Sequence, residues 1–322
     1  MNRRDVINLL GGAAAAWPVA LRAQERERMR RIGVLLLGQQ EQFVRPFLDG
    51  LQALGYVDGK TVTIEYRDAG GNAERLPDVT GELVRLNPDV IFSAGGEAAP
   101  FAKNATRTIP IVVAVSNDPV ESGLVASLGR PGGNVTGITF IYDQLAGKTI
   151  EFLKDAAPRV SRVAILWNPN HADPEFRETQ RAARMLGVRL QSLEVRGAGD
   201  FDGAFQAATN ERAEALIVVI SRLISLHQQQ IADFALKNRL ILVSGAKNWT
   251  ELGALLTYGP NTTELIRRTA TYVDKILRGA KPADLPMQQP TSFELIINLK
   301  TAKTLGIAIS RDVLSVADEV IE

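Results

Sequence analysis

The sequence predicts an α/β protein made of two doubly wound parallel-sheet lobes joined by a hinge, and three observations carry that expectation. Short β-branched or apolar runs alternate with longer segments of helical period, the pattern of a parallel sheet covered by helices. That alternation runs through the first part of the chain and then begins afresh. The 322 residues suffice for two cores of ordinary size, because single cores tend to stop growing at about 250 to 300 residues.

In order, the first series has strands at Ile32 to Leu37, Thr61 to Tyr66, Val90 to Ser93, Ile111 to Val115 and Val135 to Phe140. Helices at Phe43 to Leu54, Leu76 to Leu86 and Ala98 to Thr106 lie between them. The second series has strands at Val163 to Trp167, Arg189 to Val195, Ala215 to Ile220, Leu240 to Ser244 and Leu255 to Tyr258. Its helices are Pro174 to Leu186, Phe201 to Asn210 and Leu226 to Asn238. The junction falls near Ile141 to Gly147. A helix at Thr262 to Leu277, then Pro282, Pro286 and Pro290 before a strand-like Phe293 to Asn298, do not extend the second series and read as chain crossing back between lobes. The expected division is residues 31–141 with about 260–284 for the first lobe, and 142–259 with about 285–322 for the second.

Residues 1–23 read as a secretory signal peptide: basic Arg3 and Arg4, an apolar stretch from Val6 to Val19, then Leu21-Arg22-Ala23 with Ala23 last before cleavage. The Arg3-Arg4 pair leans towards the twin-arginine route, so a periplasmic location is expected. The alternative, a membrane anchor, needs roughly 20 apolar residues, more than this run offers. Cleavage removes three arginines and one aspartate, taking the net charge from +1 to −1.

That near-neutral balance provides no basic stripe for nucleic acid or lipid. The chain has no Cys, which excludes disulfides, thiolate catalysis and thiolate zinc sites. Its two histidines, His171 and His227, lie far apart with no His-Glu-x-x-His, so neither a metal nor a cofactor is expected. The Arg177, Arg181, Arg184 series has the spacing of a solvated helix face.

Open parallel sheets bind ligands beyond the carboxyl ends of their strands, where loops lead into helix N-termini. The corresponding loops here hold the candidate ligand-binding residues: Gln39; Ser93, Gly95, Gly96 and Glu97; Ser116, Asn117 and Asp118; Asn168 and Asn170; Ser221; Lys247; and Tyr258. Small residues from Ser93 to Glu97 let backbone N–H groups approach a carboxylate, or serve turn geometry alone. Asp118 before Pro119 accepts an ammonium group or caps the next helix. Arg130-Pro131-Gly132-Gly133-Asn134 precedes a strand and is a turn, not a phosphate loop. Ser244-Gly245-Ala246-Lys247 has Ser-x-x-Lys spacing but lacks the companion triplets that make such a pair a nucleophile. Among the aromatics, Tyr258 and Trp249 have a better claim to a ligand than Trp167 and Phe140, which read as core.

Several runs resemble a bacterial family of ABC-transporter substrate-binding proteins. They are Phe47-Leu48-Asp49-Gly50-Leu51, Asp118-Pro119-Val120, Arg130 to Gly137, Ala164-Ile165-Leu166-Trp167-Asn168-Pro169, Lys281 to Pro286, and Phe293 through Lys303 to Ile321. The resemblance spans essentially the whole mature chain. It implies a type I periplasmic-binding fold with a three-stranded hinge, no catalytic activity, no cofactor, a membrane permease as partner and, in some relatives, aromatic amino acids as ligands. Ser221-Arg222-Leu223-Ile224 departs from the Asp-Pro type of loop more usual there. Three readings follow: capture of a small carboxylate-bearing solute, an amino acid above all, by a monomer through hinge closure; an exported hydrolase using Ser244 and Lys247; or a ligand-sensing module for a membrane receptor. The missing nucleophile, base and orienter sets favour binding.

Overall fold

The computed structural model describes residues 29–38, 41–171 and 174–322. The expected signal peptide and Gln39 lie outside the described residues. Strands β1 (Arg30–Leu36), β2 (Val62–Asp68), β3 (Val90–Ala94), β4 (Ile111–Val115) and β5 (Val135–Thr139) form a parallel sheet in the order β2-β1-β3-β4-β5. β3, β4 and β5 are buried at every residue, which is why they read as continuous apolar runs: helices cover both faces. Helices α1 (Glu41–Ala53) and α9 (Thr262–Leu277) cover one face, and α2 (Leu76–Arg85) and α3 (Ala99–Ala105) the other. Phe47 of α1 stacks on Phe92 of β3 at 3.9 Å between ring centroids.

The second sheet, ordered β12-β11-β10-β9-β8-β6-β7, contains β6 (Arg162–Trp167), β7 (Arg189–Glu194), β8 (Ala215–Val218), β9 (Ile241–Ser244), β10 (Leu256–Gly259), β11 (Glu294–Asn298) and β12 (Glu319–Ile321). Its stretch β7-β6-β8-β9-β10 repeats the first sheet's order, and β11 joins antiparallel to β10. Helices α6 (Phe201–Asn210) and α8 (Gln228–Lys237) pack on one face. Helices α4 (Tyr142–Ala156), α5 (Glu175–Met185), α10 (Leu299–Leu305) and α11 (Arg311–Val316) pack on the other. A short α7 (Arg222–Leu226) precedes α8.

Three segments pass between the sheets: β5 into α4, β10 into α9, and the chain entering β11. At the first, Ile141 adopts φ 52, a left-handed conformation unusual for a β-branched residue. α4 begins directly after it, at Tyr142. At the third, Leu285 to Gln288 stay with the first sheet and not the second. Thr136 Oγ1 donates to the Leu285 carbonyl at 2.6 Å, Tyr272 OH to that of Pro286 at 2.7 Å, and Gln288 N to that of Gly137 at 3.0 Å. The helix expected from Leu226 to Asn238 is α8, and the short α7 that ends at Leu226 ahead of it was not expected.

Candidate ligand-binding cleft

Each sheet reverses its winding at its first strand, between β1 and β3 and again between β6 and β8, and such switch points open a crevice at the strands' carboxyl ends. The two crevices face one another and are closed together. Ser116, beyond β4, donates its hydroxyl to the Ile220 carbonyl beyond β8 at 2.9 Å. Glu97, beyond β3, accepts at Oε1 from the backbone N–H of Arg222 at 2.8 Å and of Leu223 at 3.4 Å. At the rim, Arg177 of α5 pairs with Glu121 at 2.7 Å, so this arginine bridges the halves and is not simply part of a solvated face.

Arg222 is the charged centre of the cleft. It is 3% exposed, and its guanidinium carbon lies 3.6 Å from the centroid of the Phe43 ring, a desolvated cation–π contact. Burial pulls its pKa down to about 10 and the Glu97 carboxylate pushes back, so the side chain stays cationic at neutral pH. Two local features make room for it and hold it. Ser221 Oγ caps α7 by accepting from Ile224 N at 3.3 Å, fixing the backbone from which Arg222 leaves. Gly95 (φ +99) faces the arginine stem, where a Cβ would come within 2.5 Å of Arg222 Cγ. Around them lies a narrow pocket of about 20 Å³, walled by Phe43, Phe140, Ile220 and Ile266 with Ser116, Ser221, Arg222 and Ser225.

Three buried polar atoms at the cleft end of the first half have no hydrogen-bond partner: Ser93 Oγ at the end of β3, and Asn117 Oδ1 and Glu97 Oε2 in the loops beyond. Orphaned groups of this kind are costly unless something arrives to satisfy them. Glu97 Oε2 lies 3.9 Å from His171 Nε2, and its side chain is 7% exposed. His171 Nε2 also lies 3.2 Å from Ser116 Oγ. A hydrolytic triad places the acid on the ring nitrogen opposite the serine, whereas Ser116 and Glu97 both face Nε2.

The other expected residues divide. Asp118 Oδ1 accepts from Val120 N at 2.7 Å and Glu121 N at 3.0 Å, so it caps a turn. Asn168 Oδ1 likewise accepts from Asn170 N at 3.0 Å, and Asn170 is exposed. The Gly95 N–H is spent on the Ala114 carbonyl at 2.9 Å. Gly96 lies under His171 and Asn117, either of which a Cβ there would strike. Tyr258 packs edge-on against Phe152 at 5.0 Å, away from the cavity wall. Trp249 is core at 1% exposed, while Phe140, read as core, lines the cavity. Lys247 is exposed and pairs with Glu319, whereas Ser244 is fully buried and accepts from Ala246 N at 3.3 Å, so the two do not form a nucleophile pair. Arg222 and Phe43 were absent from the expected set. The available signal was an arginine set among apolar residues just past a strand, in Val-Val-Ile-Ser-Arg-Leu-Ile.

With this geometry in place, comparison with known proteins assigns the chain. It belongs to the family of ABC transporter substrate binding proteins, whose family model matches residues 39–321. It is 24% identical over 289 residues to a tyrosine-binding protein of Clostridioides difficile (strain R20291), covering 88% of this chain and 83% of that one. Among solved structures it resembles a conserved domain protein of Vibrio cholerae (TM-score 0.84, 28% identity, 91% of this chain and 100% of that one). It also resembles an ABC domain from Streptococcus pneumonia in complex with L-Trp (TM-score 0.84, 25% identity, 91% and 100%).

Proposed function

We propose that this chain captures an amino acid with an apolar or aromatic side chain between its two halves and hands it to a membrane permease, acting as a monomer outside the cytoplasm. The observation that carries the reading is Glu97: a carboxylate buried where the halves meet, with one oxygen engaged across the cleft and the other lacking a hydrogen bond. An α-ammonium group satisfies that oxygen, which Asp118, committed to its turn, does not offer. The apolar walls from Phe43, Phe140, Ile220 and Ile266 suit the solute's side chain. Relatives named for tyrosine and crystallised with L-Trp support this class.

Closure is part of binding. The Ser116 to Ile220 and Glu97 to Arg222 hydrogen bonds join residues that separate when the halves open, so a solute that fills the cleft shifts the balance to the closed state. No bond in the solute is broken in this scheme: the serine, histidine and glutamate of the cleft hold the halves together. The chain is exported by the twin-arginine route and cleaved after Ala23. Calorimetric titration with the twenty amino acids tests the function, with L-tryptophan, L-tyrosine or L-phenylalanine expected to bind one to one at micromolar Kd or tighter. Absence of heat from all three refutes it. N-terminal sequencing of envelope-derived protein tests export, and a retained Met1 refutes it.

A further inference from the structure

Resting on that reading, we propose that the Phe43 ring stands where the solute's aromatic ring binds, over the face of the Arg222 guanidinium, and swings aside to admit it. The stack joins the halves. Phe43 lies in the first turn of α1, Arg222 opens α7, and the guanidinium carbon is 3.6 Å from the ring centroid. With the ring in place the inner pocket is about 20 Å³, room for about one water molecule. Pockets that enclose a small organic solute run to about 300 to 1,000 Å³. An aromatic amino acid therefore enters only if a wall moves.

Phe43 is the wall free to do so. Phe140, Ile220 and Ile266 are buried in the core, whereas Phe43 is only partly buried at the core's edge. It also lines a second cavity, of about 470 Å³, bounded by Lys247, Asn248 and Glu251 of the second half and by Asn261 and Thr262 where α9 begins. That cavity has room for the displaced side chain. Departure of the ring uncovers the face of a cation that is 3% exposed, and the group that takes its place decides the balance. A π ring restores the cation–π contact, which is strongest at desolvated sites. An aliphatic side chain of the same bulk does not. The stack thus narrows the solute class from apolar to aromatic.

The test is calorimetric titration with L-phenylalanine and β-cyclohexyl-L-alanine, which are similar in size but differ in having a π face. Wild type is expected to bind phenylalanine at least about fivefold more tightly, although the cyclohexyl side chain is the more apolar. Arg222→Met, which keeps apolar bulk without the charge, should bring that ratio to about one. Phe43→Ala should have a lower Tm without solute. It should nevertheless bind phenylalanine at least about fivefold more tightly than wild type, because no ring has to be displaced. A wild-type ratio below about fivefold, a ratio that survives Arg222→Met, or a Phe43→Ala protein that binds no more tightly overturns the proposal while leaving amino-acid capture intact. If either variant does not fold, the wild-type ratio and Phe43→Leu, expected to gain affinity in the same direction, decide. If no amino acid titrates against the wild type, amino-acid capture is refuted and indole separates the two ideas. Indole that binds Phe43→Ala but not wild type upholds the ring's place, and indole that binds neither, or both equally, refutes it as well.

Discussion

Replacing Glu97 by alanine should disable the cleft without unfolding either half. Its Oε1 accepts from Arg222 N at 2.8 Å and, more weakly, from Leu223 N at 3.4 Å, and both donors belong to the opposite half. A hydrogen bond to a charged group is worth about 1.5 to 3 kcal/mol. The change also removes the carboxylate whose charge favours the buried Arg222 cation, and weakening that balance adds to the cost. Together the closed state should lose about 2 to 4 kcal/mol, which is roughly 30- to 1,000-fold in affinity. Glu97→Gln keeps an acceptor at the same place and should fall between the two. Because the lost contacts exist between the halves, thermal unfolding without ligand should move little, while the stabilisation produced by L-tryptophan or L-tyrosine should shrink sharply. The assay is calorimetry paired with thermal unfolding, each with and without amino acid. Affinity within threefold of wild type would refute the reasoning, as would a Tm lowered equally with and without ligand, which would make Glu97 a purely structural residue.

Gly259→Ala should damage the second crossing, because a Cβ there would sit 1.8 Å from the Gly245 carbonyl oxygen and 3.1 Å from Tyr142 Cε1; a cost on the order of 3 kcal/mol is expected in denaturant unfolding, and an unchanged midpoint contradicts it. Tyr272 donates to the Pro286 carbonyl at 2.7 Å and burial raises its pKa to about 12. The folded state therefore keeps its proton between pH 10 and 12 while the unfolded chain loses it, and stability falls as pH rises through that window. Tyr272→Phe should be about 1 kcal/mol less stable than wild type at pH 8, with the gap narrowing from pH 10 to 12 in urea titrations; a constant gap contradicts the assignment. Lys247→Ala and Ser244→Ala should bind amino acids within twofold of wild type, and any ester hydrolysis that both changes abolish would revive the hydrolase reading.

Much of the fold was legible because buried parallel strands leave a simple trace. β4, α6 and α9 run over the residues that apolar periodicity assigns them, since each is bounded by a cap or a turn. α4 was hidden because apolar residues run from β5 through Phe140, Ile141 and Tyr142, and Gly147 inside the helix reads as a break. The segment Leu285 to Gln288 was misassigned for another reason: its partners, Thr136, Gly137 and Tyr272, are remote in sequence, and the prolines around it mark irregular chain without saying which sheet it lies on. The cleft's loops were legible from topology, because strand ends are where such sheets bind. The side chains that turn inwards were not. Asp118 and Glu97 look equally suited to an ammonium group until their partners are seen, a turn for one and the opposite half for the other. Arg222 enters the cleft only because the halves face each other, and its one local trace is an arginine set among apolar residues just past a strand.

The central claim is that one amino acid sits between the halves, held by Glu97 and the residues across from it. Native mass spectrometry of the protein taken from the cell envelope without refolding tests this most directly. A one-to-one adduct with the mass of an aromatic amino acid, lost on denaturation and absent from Glu97→Ala, is the predicted result. No adduct even after incubation with L-tryptophan, L-tyrosine and L-phenylalanine, or an adduct of equal abundance in Glu97→Ala, would contradict it.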